Sequence, residues 1–122
     1  MSTSYGKAVR DELRSPTAAL RRVIPDVYEG YKELHDAALQ AGDLDVKTKE
    51  LIALAIAVSK ECDGCIAAHA HGAVLAGATP KEAAETLGVT FLMNGGPGTV
   101  YAARAYAAFT ELHDEHTGRR AA

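Results

Sequence analysis

The sequence predicts an all-α fold on three observations. No segment alternates apolar and polar residues with the period of a strand. Apolar residues recur instead at three- and four-residue intervals, as in Val27, Tyr31, Leu34 and Ala38. Residues that start and stop helices stand where these patterns begin and end: Pro25, Asp45 and Thr79-Pro80-Lys81-Glu82 at starts, Gly42 and Gly95 at stops.

Residues 1–24 read as a polar N-terminal arm with no identifiable chemistry, interrupted at Ser15-Pro16-Thr17, where Pro16 suits the first turn of a short helix through Ala18, Ala19 and Leu20. Pro25 opens the next helix, and Gly42 ends it. His35 on that helix reads as a surface or partly packed histidine, because one histidine with no ligand pattern around it is weak evidence of a site. Asp45 is placed to cap a helix whose apolar run, Leu51 to Val58, has no polar face. Such a helix must be buried all round, either in a subunit interface or under all the other helices. A turn is expected at Ser59-Lys60-Glu61, and a helix from Cys62 to about Ala76 follows. Within it Asp63 complements the helix dipole, Gly64 permits a close approach by a partner or substrate, and small residues from Ala70 to Gly77 let a neighbour pack near. The capping box Thr79 to Glu82 starts a helix that runs to Asn94, Gly95-Gly96-Pro97-Gly98 breaks the chain, and a last helix spans about Thr99 to His113. His113 and His116 beside Asp114 and Glu115 read as a solvated end.

With 122 residues, 48% of them hydrophobic, the chain suits one domain over 1–122 with a core of its own. A net charge of −3 argues against nucleic acid or an anionic membrane as partner. No apolar run is long enough to span a bilayer, and the N-terminus lacks the apolar core of a signal peptide, so a cytoplasmic location is expected.

The chemistry concentrates between Glu50 and His71, ELIALAIAVSKECDGCIAAHAH. On a helix Cys62 and Cys65 stand at i and i+3, with His69 four residues beyond Cys65, so all three share one face. Residues three apart are separated by about 5 Å, which a disulfide can span, so the pair can close and reopen. An imidazole one turn from a thiol can take its proton, and the thiolate is the nucleophile. Glu50, on the preceding helix, is placed for a hairpin to bring it to that imidazole. Zinc is the competing reading, with Cys62, Cys65, His69 and Glu50 as its ligands, but no second CxxC completes a tetrahedron. His71, two residues from His69, points to another side. A thioredoxin-type fold is disfavoured by the absence of strands, and covalent haem by Ile66 where that motif requires histidine.

Glu50, eleven residues, Cys62, two residues, Cys65, three residues, His69 resembles the signature of the alkylhydroperoxidase D family, within the carboxymuconolactone decarboxylase superfamily. KTKELIALAIAV before the cysteines and HGAVLAGATPKEAAETL after them are similar to the superfamily's core, extending the resemblance over residues 42–106. The resemblance implies an all-α domain of about six helices, assembled as a homotrimer or homohexamer, and a thiol peroxidase that reduces organic hydroperoxides in antioxidant defence. It implies no bound cofactor beyond the redox-active Cys62 and Cys65. Cys65 is then the attacking thiolate, His69 its base, Glu50 the group that orients His69, and Cys62 the resolving thiol. The implied electron donor is a thiol reductant such as a dihydrolipoyl protein, with a peroxiredoxin as a further partner. The superfamily also contains lactone-acid decarboxylases, which use no cysteine pair. Asp63 and Gly64 stand where the best-studied peroxidases of the family carry a further histidine.

Overall fold

A computed structural model describes residues 4–121. Among them are six α-helices and no strand: α1 Lys7–Val23, α2 Pro25–Leu39, α3 Val46–Ser59, α4 Asp63–Leu75, α5 Pro80–Asn94 and α6 Gly96–Ala121. No helix among the described residues is long and apolar enough to cross a membrane.

Local signals account for most of the boundaries. The Asp45 carboxylate accepts the Thr48 amide at 2.8 Å and caps α3. The Thr79 hydroxyl accepts the Glu82 amide while the Glu82 carboxylate accepts the Thr79 amide, a complete capping box for α5. Pro25 opens α2. Helices α3 and α4 form one antiparallel hairpin and α5 and α6 a second, with α4 between α3, α6 and α1. Leu54, Val58, Ile66 and Phe109 are the largest fully buried side chains. Each stabilises the fold by on the order of 1.5–3 kcal/mol. Most other core positions are alanines, among them Ala57, Ala70, Ala73, Ala102, Ala105 and Ala108, which bring the helix backbones close.

Several expectations need correction. The arm is not interrupted at Pro16: α1 runs straight through it. Pro16 removes a donor from the Glu12 carbonyl, but both residues are exposed and solvent can replace the bond. The start of α1 is held from α6, since the Glu111 carboxylate accepts the amides of Gly6 and Lys7 and the Ser4 hydroxyl. The break before the last helix is confined to Gly95, at φ 64°, and α6 already includes Pro97 and Gly98. Gly98 is required there, because a Cβ would lie 2.7 Å from the Thr90 carbonyl oxygen of α5. His113 is not part of a solvated end: α6 continues past it, and its ring stacks on buried Phe109 with centroids 5.8 Å apart.

The all-apolar helix α3 is not covered all round by the rest of this chain. Leu54, Ala57 and Val58 are buried, whereas Ile52 and Ile56 are about half exposed at 44% and 54%. Burial under all the other helices therefore fails as an account of α3.

Candidate functional site

The site is built on the turn between α3 and α4. The Cys62 amide donates to the Ala57 carbonyl at 3.2 Å and the Glu61 amide to the Val58 carbonyl at 3.0 Å, a Schellman closure of α3. Its left-handed position is filled by Glu61, at φ 54°. Cys62 also caps α4: its Sγ accepts the Cys65 amide at 3.2 Å. One residue thus ends one helix and starts the next, which fixes its sulfur at the positive end of the α4 dipole.

Cys62 and Cys65 are joined as a disulfide, with Cα atoms 5.2 Å apart, inside the range that such a bond spans. Their exposure differs. Cys65 is exposed, while Cys62 is half-buried behind the helix end.

One turn further along α4, His69 meets Glu50. Nδ1 of His69 lies 2.8 Å from Glu50 Oε1, so the hairpin joins residues that are well separated in the sequence. Glu50 is buried, at 7% exposure. A buried carboxylate is costly unless it is paired, and the imidazole supplies the pairing. Because a carboxylate accepts, Nδ1 of His69 is the donor in this bond, and in the neutral ring that leaves the lone pair on Nε2. Gly72, one turn past His69, makes room for this arrangement, since a Cβ at that position would overlap the Glu50 carboxylate. The small residues of α4 therefore admit not only a neighbouring helix but a charged group between the helices.

Two further residues converge here, His35 and Arg104, of which the sequence did not single out Arg104. The His35 ring of α2 stacks against His69, centroids 6.2 Å apart and planes 21° from parallel, while the residue itself stays exposed, in keeping with a surface or partly packed histidine. Nothing around His35 marks it, because its partner lies two helices away. Arg104 of α6 donates Nη1 to both oxygens of Asp63, at 3.3 and 3.0 Å, with its guanidinium over the rings of Tyr5 and Tyr101. The Asp63 hydrogen bond raises the Arg104 pKa above its ordinary value. The signal for Arg104 was a lone charge among Ala102, Ala103 and Ala105. Asp63 thus ties the start of α4 to α6 besides facing the dipole. Gly64 does meet a close neighbour, the Leu13 side chain of α1, to which a Cβ would come within 3.0 Å.

His71 faces away from the cysteines and lines a cavity of about 370 Å³ with Arg10, Arg14 and His116. Among the described residues, no three His, Cys, Asp or Glu side chains group as a metal site would require.

A sequence profile described as the carboxymuconolactone decarboxylase family matches residues 25–108. An uncharacterised protein of Cupriavidus necator is 38% identical over 102 residues, 84% of this chain and 90% of the relative. One from Haemophilus influenzae is 42% identical over 91 residues, 75% of this chain and 80% of the relative. Among solved structures, the apo form of a carboxymuconolactone decarboxylase family protein from Legionella pneumophila superposes with a TM-score of 0.84 at 42% identity, covering 87% of this chain and 95% of that one. A protein from Thermotoga maritima superposes with a TM-score of 0.68 at 31% identity, covering 75% and 82%.

Proposed function

The chain belongs to the carboxymuconolactone decarboxylase family, and within it we propose that this protein is an alkylhydroperoxidase D-like thiol peroxidase that reduces organic hydroperoxides. The observation that carries this reading is the Cys62–Cys65 pair one helical turn from the His69–Glu50 bond. A lactone decarboxylase has no use for two thiols in that position.

In the reduced protein His69 Nε2 takes the Cys65 proton, directly or through water, while Glu50 holds Nδ1. The Cys65 thiolate attacks one peroxide oxygen, the O–O bond breaks, and the alcohol leaves with the proton from His69. Cys65 is now a sulfenic acid. The Cys62 thiol attacks its sulfur, the S–S bond forms, and water departs. Two electrons have passed from the thiols to the peroxide. A dithiol donor of the dihydrolipoyl class returns them: one thiolate attacks the exposed Cys65 sulfur and expels Cys62 as thiolate, and the donor's second thiol releases Cys65. The helix end favours that step, because it stabilises the departing Cys62 thiolate. Histidine and helix dipole thus serve different cysteines at different steps.

Assembly as a homotrimer or homohexamer belongs to the same reading. The open apolar residues of α2, α3 and α5, including Leu34, Ile56 and Leu92, call for more than one neighbouring surface.

The test is sulfenate trapping with a dimedone-type reagent after one equivalent of a lipid-like hydroperoxide. The parent should lose two free thiols, Cys62→Ser should carry the label on Cys65, and Cys65→Ser should carry none. His69→Ala should slow labelling by roughly 10²- to 10⁴-fold. A label on Cys62 alone would invert the two roles. No thiol loss, or decarboxylation of a lactone acid that survives alkylation, would overturn the reading.

A further inference from the structure

We propose that His35 is a positioning residue for His69, fixing the plane of the catalytic imidazole by packing a second ring against it; this rests on the thiol chemistry above. The motivating feature is where His35 comes from. Helix α2 has no buried residue and packs against α1 and α3 but not against α4, yet it reaches α4 through this ring pair.

The bond from Nδ1 to Glu50 holds one edge of the His69 ring, and a group beside its face limits how far the opposite edge, which carries Nε2, can tilt. The His35 ring, offset beside it with centroids 6.2 Å apart and planes 21° from parallel, supplies such a group. His35 is itself anchored. Its Nδ1 lies 3.2 Å from Asp36 Oδ1, the Lys32 ammonium holds the other Asp36 oxygen at 2.8 Å, and the Tyr31 ring stands 6.5 Å away on the same helix. Lys32 first, and His35 after it, hold the Asp36 carboxyl below its ordinary pKa, so it stays an acceptor across the working range of the enzyme. The chain from Lys32 through Asp36 and His35 to His69 places an anchored ring beside the imidazole whose other edge Glu50 holds.

The experiment measures alkylation of Cys65 by iodoacetamide in reduced Cys62→Ser protein. This neutral reagent reports activation of the thiol without any peroxide. His35→Ala should slow alkylation by on the order of 10-fold, less than the 10²-fold that a displacement of about 1 Å can cost. His35→Phe keeps a flat ring and should return within about threefold of the parent rate. In a His69→Ala background His35→Ala should have no further effect, because it acts through that ring. An unchanged rate in His35→Ala, a failure of His35→Phe to restore it, or the same slowing without His69 would each overturn the proposal. His35 is exposed, so neither variant threatens folding, and circular dichroism checks this. A protein inert toward hydroperoxide but sensitive to His35 in this assay would sink the peroxidase reading and leave the positioning role standing.

Discussion

The α3–α4 hairpin and helix α2 both deliver an imidazole to the same place, and they are built in opposite ways. In the hairpin each position near the site is constrained. Cys62 closes one helix and caps the next, Glu50 is buried against His69, and Gly72 is the residue that leaves space for the carboxylate. Helix α2 has none of this: Val27, Tyr31 and Leu34 are all more than 60% exposed, and the helix ends in solvent-facing residues. Its contribution is one ring. The hairpin holds Glu50 by burial, His69 by its bond to Glu50 and Cys62 by capping, whereas α2 supplies a contact that a loosely held element can still make.

The sharpest test of that contrast is Gly72→Ala. The added methyl would overlap the Glu50 carboxylate, so either the carboxylate leaves His69 or the helices part. Overpacking of this kind costs about 1–3 kcal/mol. Loss of the pairing leaves a buried charge without its partner, which adds to the cost. Denaturant unfolding should show the destabilisation, and alkylation of Cys65 should slow, as it should in Glu50→Gln. A variant of parental stability and reactivity would mean that the hairpin is no tighter than α2.

The two regions were also unequally legible in the sequence. Spacing alone put Cys62, Cys65 and His69 on one helix, and the apolar run after Glu50 placed that carboxylate on the preceding one. The turn residues Ser59, Lys60 and Glu61 made the pair a hairpin. Helical periodicity gave α2 its length equally well, but periodicity names no partner, so His35 looked inert. The same limit explains α1: Pro16 is a local stop signal, and the capping of that helix by Glu111 is a contact over more than a hundred residues. Gly96, Pro97 and Gly98 read as a break because their composition carries no sign that the Thr90 carbonyl lies against Gly98. For α3 the sequence left two covers open, a subunit interface or the other helices, since a pattern with no polar side tells that cover is needed and not what provides it.

Helix α2 offers the converse test. If its apolar face is covered by another copy in solution, Val27→Asp with Leu34→Asp should lower the assembly's mass in light scattering. The helical content of the separated chain should stay near the parent's, because exposed substitutions usually change stability by within about 0.5 kcal/mol. Unchanged mass would leave α2 uncovered and place any subunit contact on α3 or α5.

The smallest expected effect lies in the turn that carries Cys62. Helices α3 and α4 end in the same motif, α4 with the Ala78 amide on the Ala73 carbonyl at 2.9 Å and the Gly77 amide on the Val74 carbonyl at 3.0 Å. At the left-handed position α4 has glycine, φ 93°, and α3 has Glu61, φ 54°. A side chain there costs on the order of 1–2 kcal/mol. Glycine removes that cost but loosens the unfolded chain, which returns roughly 0.5–1 kcal/mol. Glu61→Gly should therefore stabilise the protein by about 1 kcal/mol or less, raising Tm by a few degrees. Gly77→Glu, the mirror change, should lower it. If both shifts occur and Glu61→Gly leaves Cys65 alkylation unchanged, the turn is a stability defect only. If stability rises while the thiol slows, the strained backbone beside Cys62 helps to hold the site, as strain near reactive residues often does. A Tm that falls in Glu61→Gly would mean that the glutamate side chain contributes more to the hairpin than its backbone conformation costs.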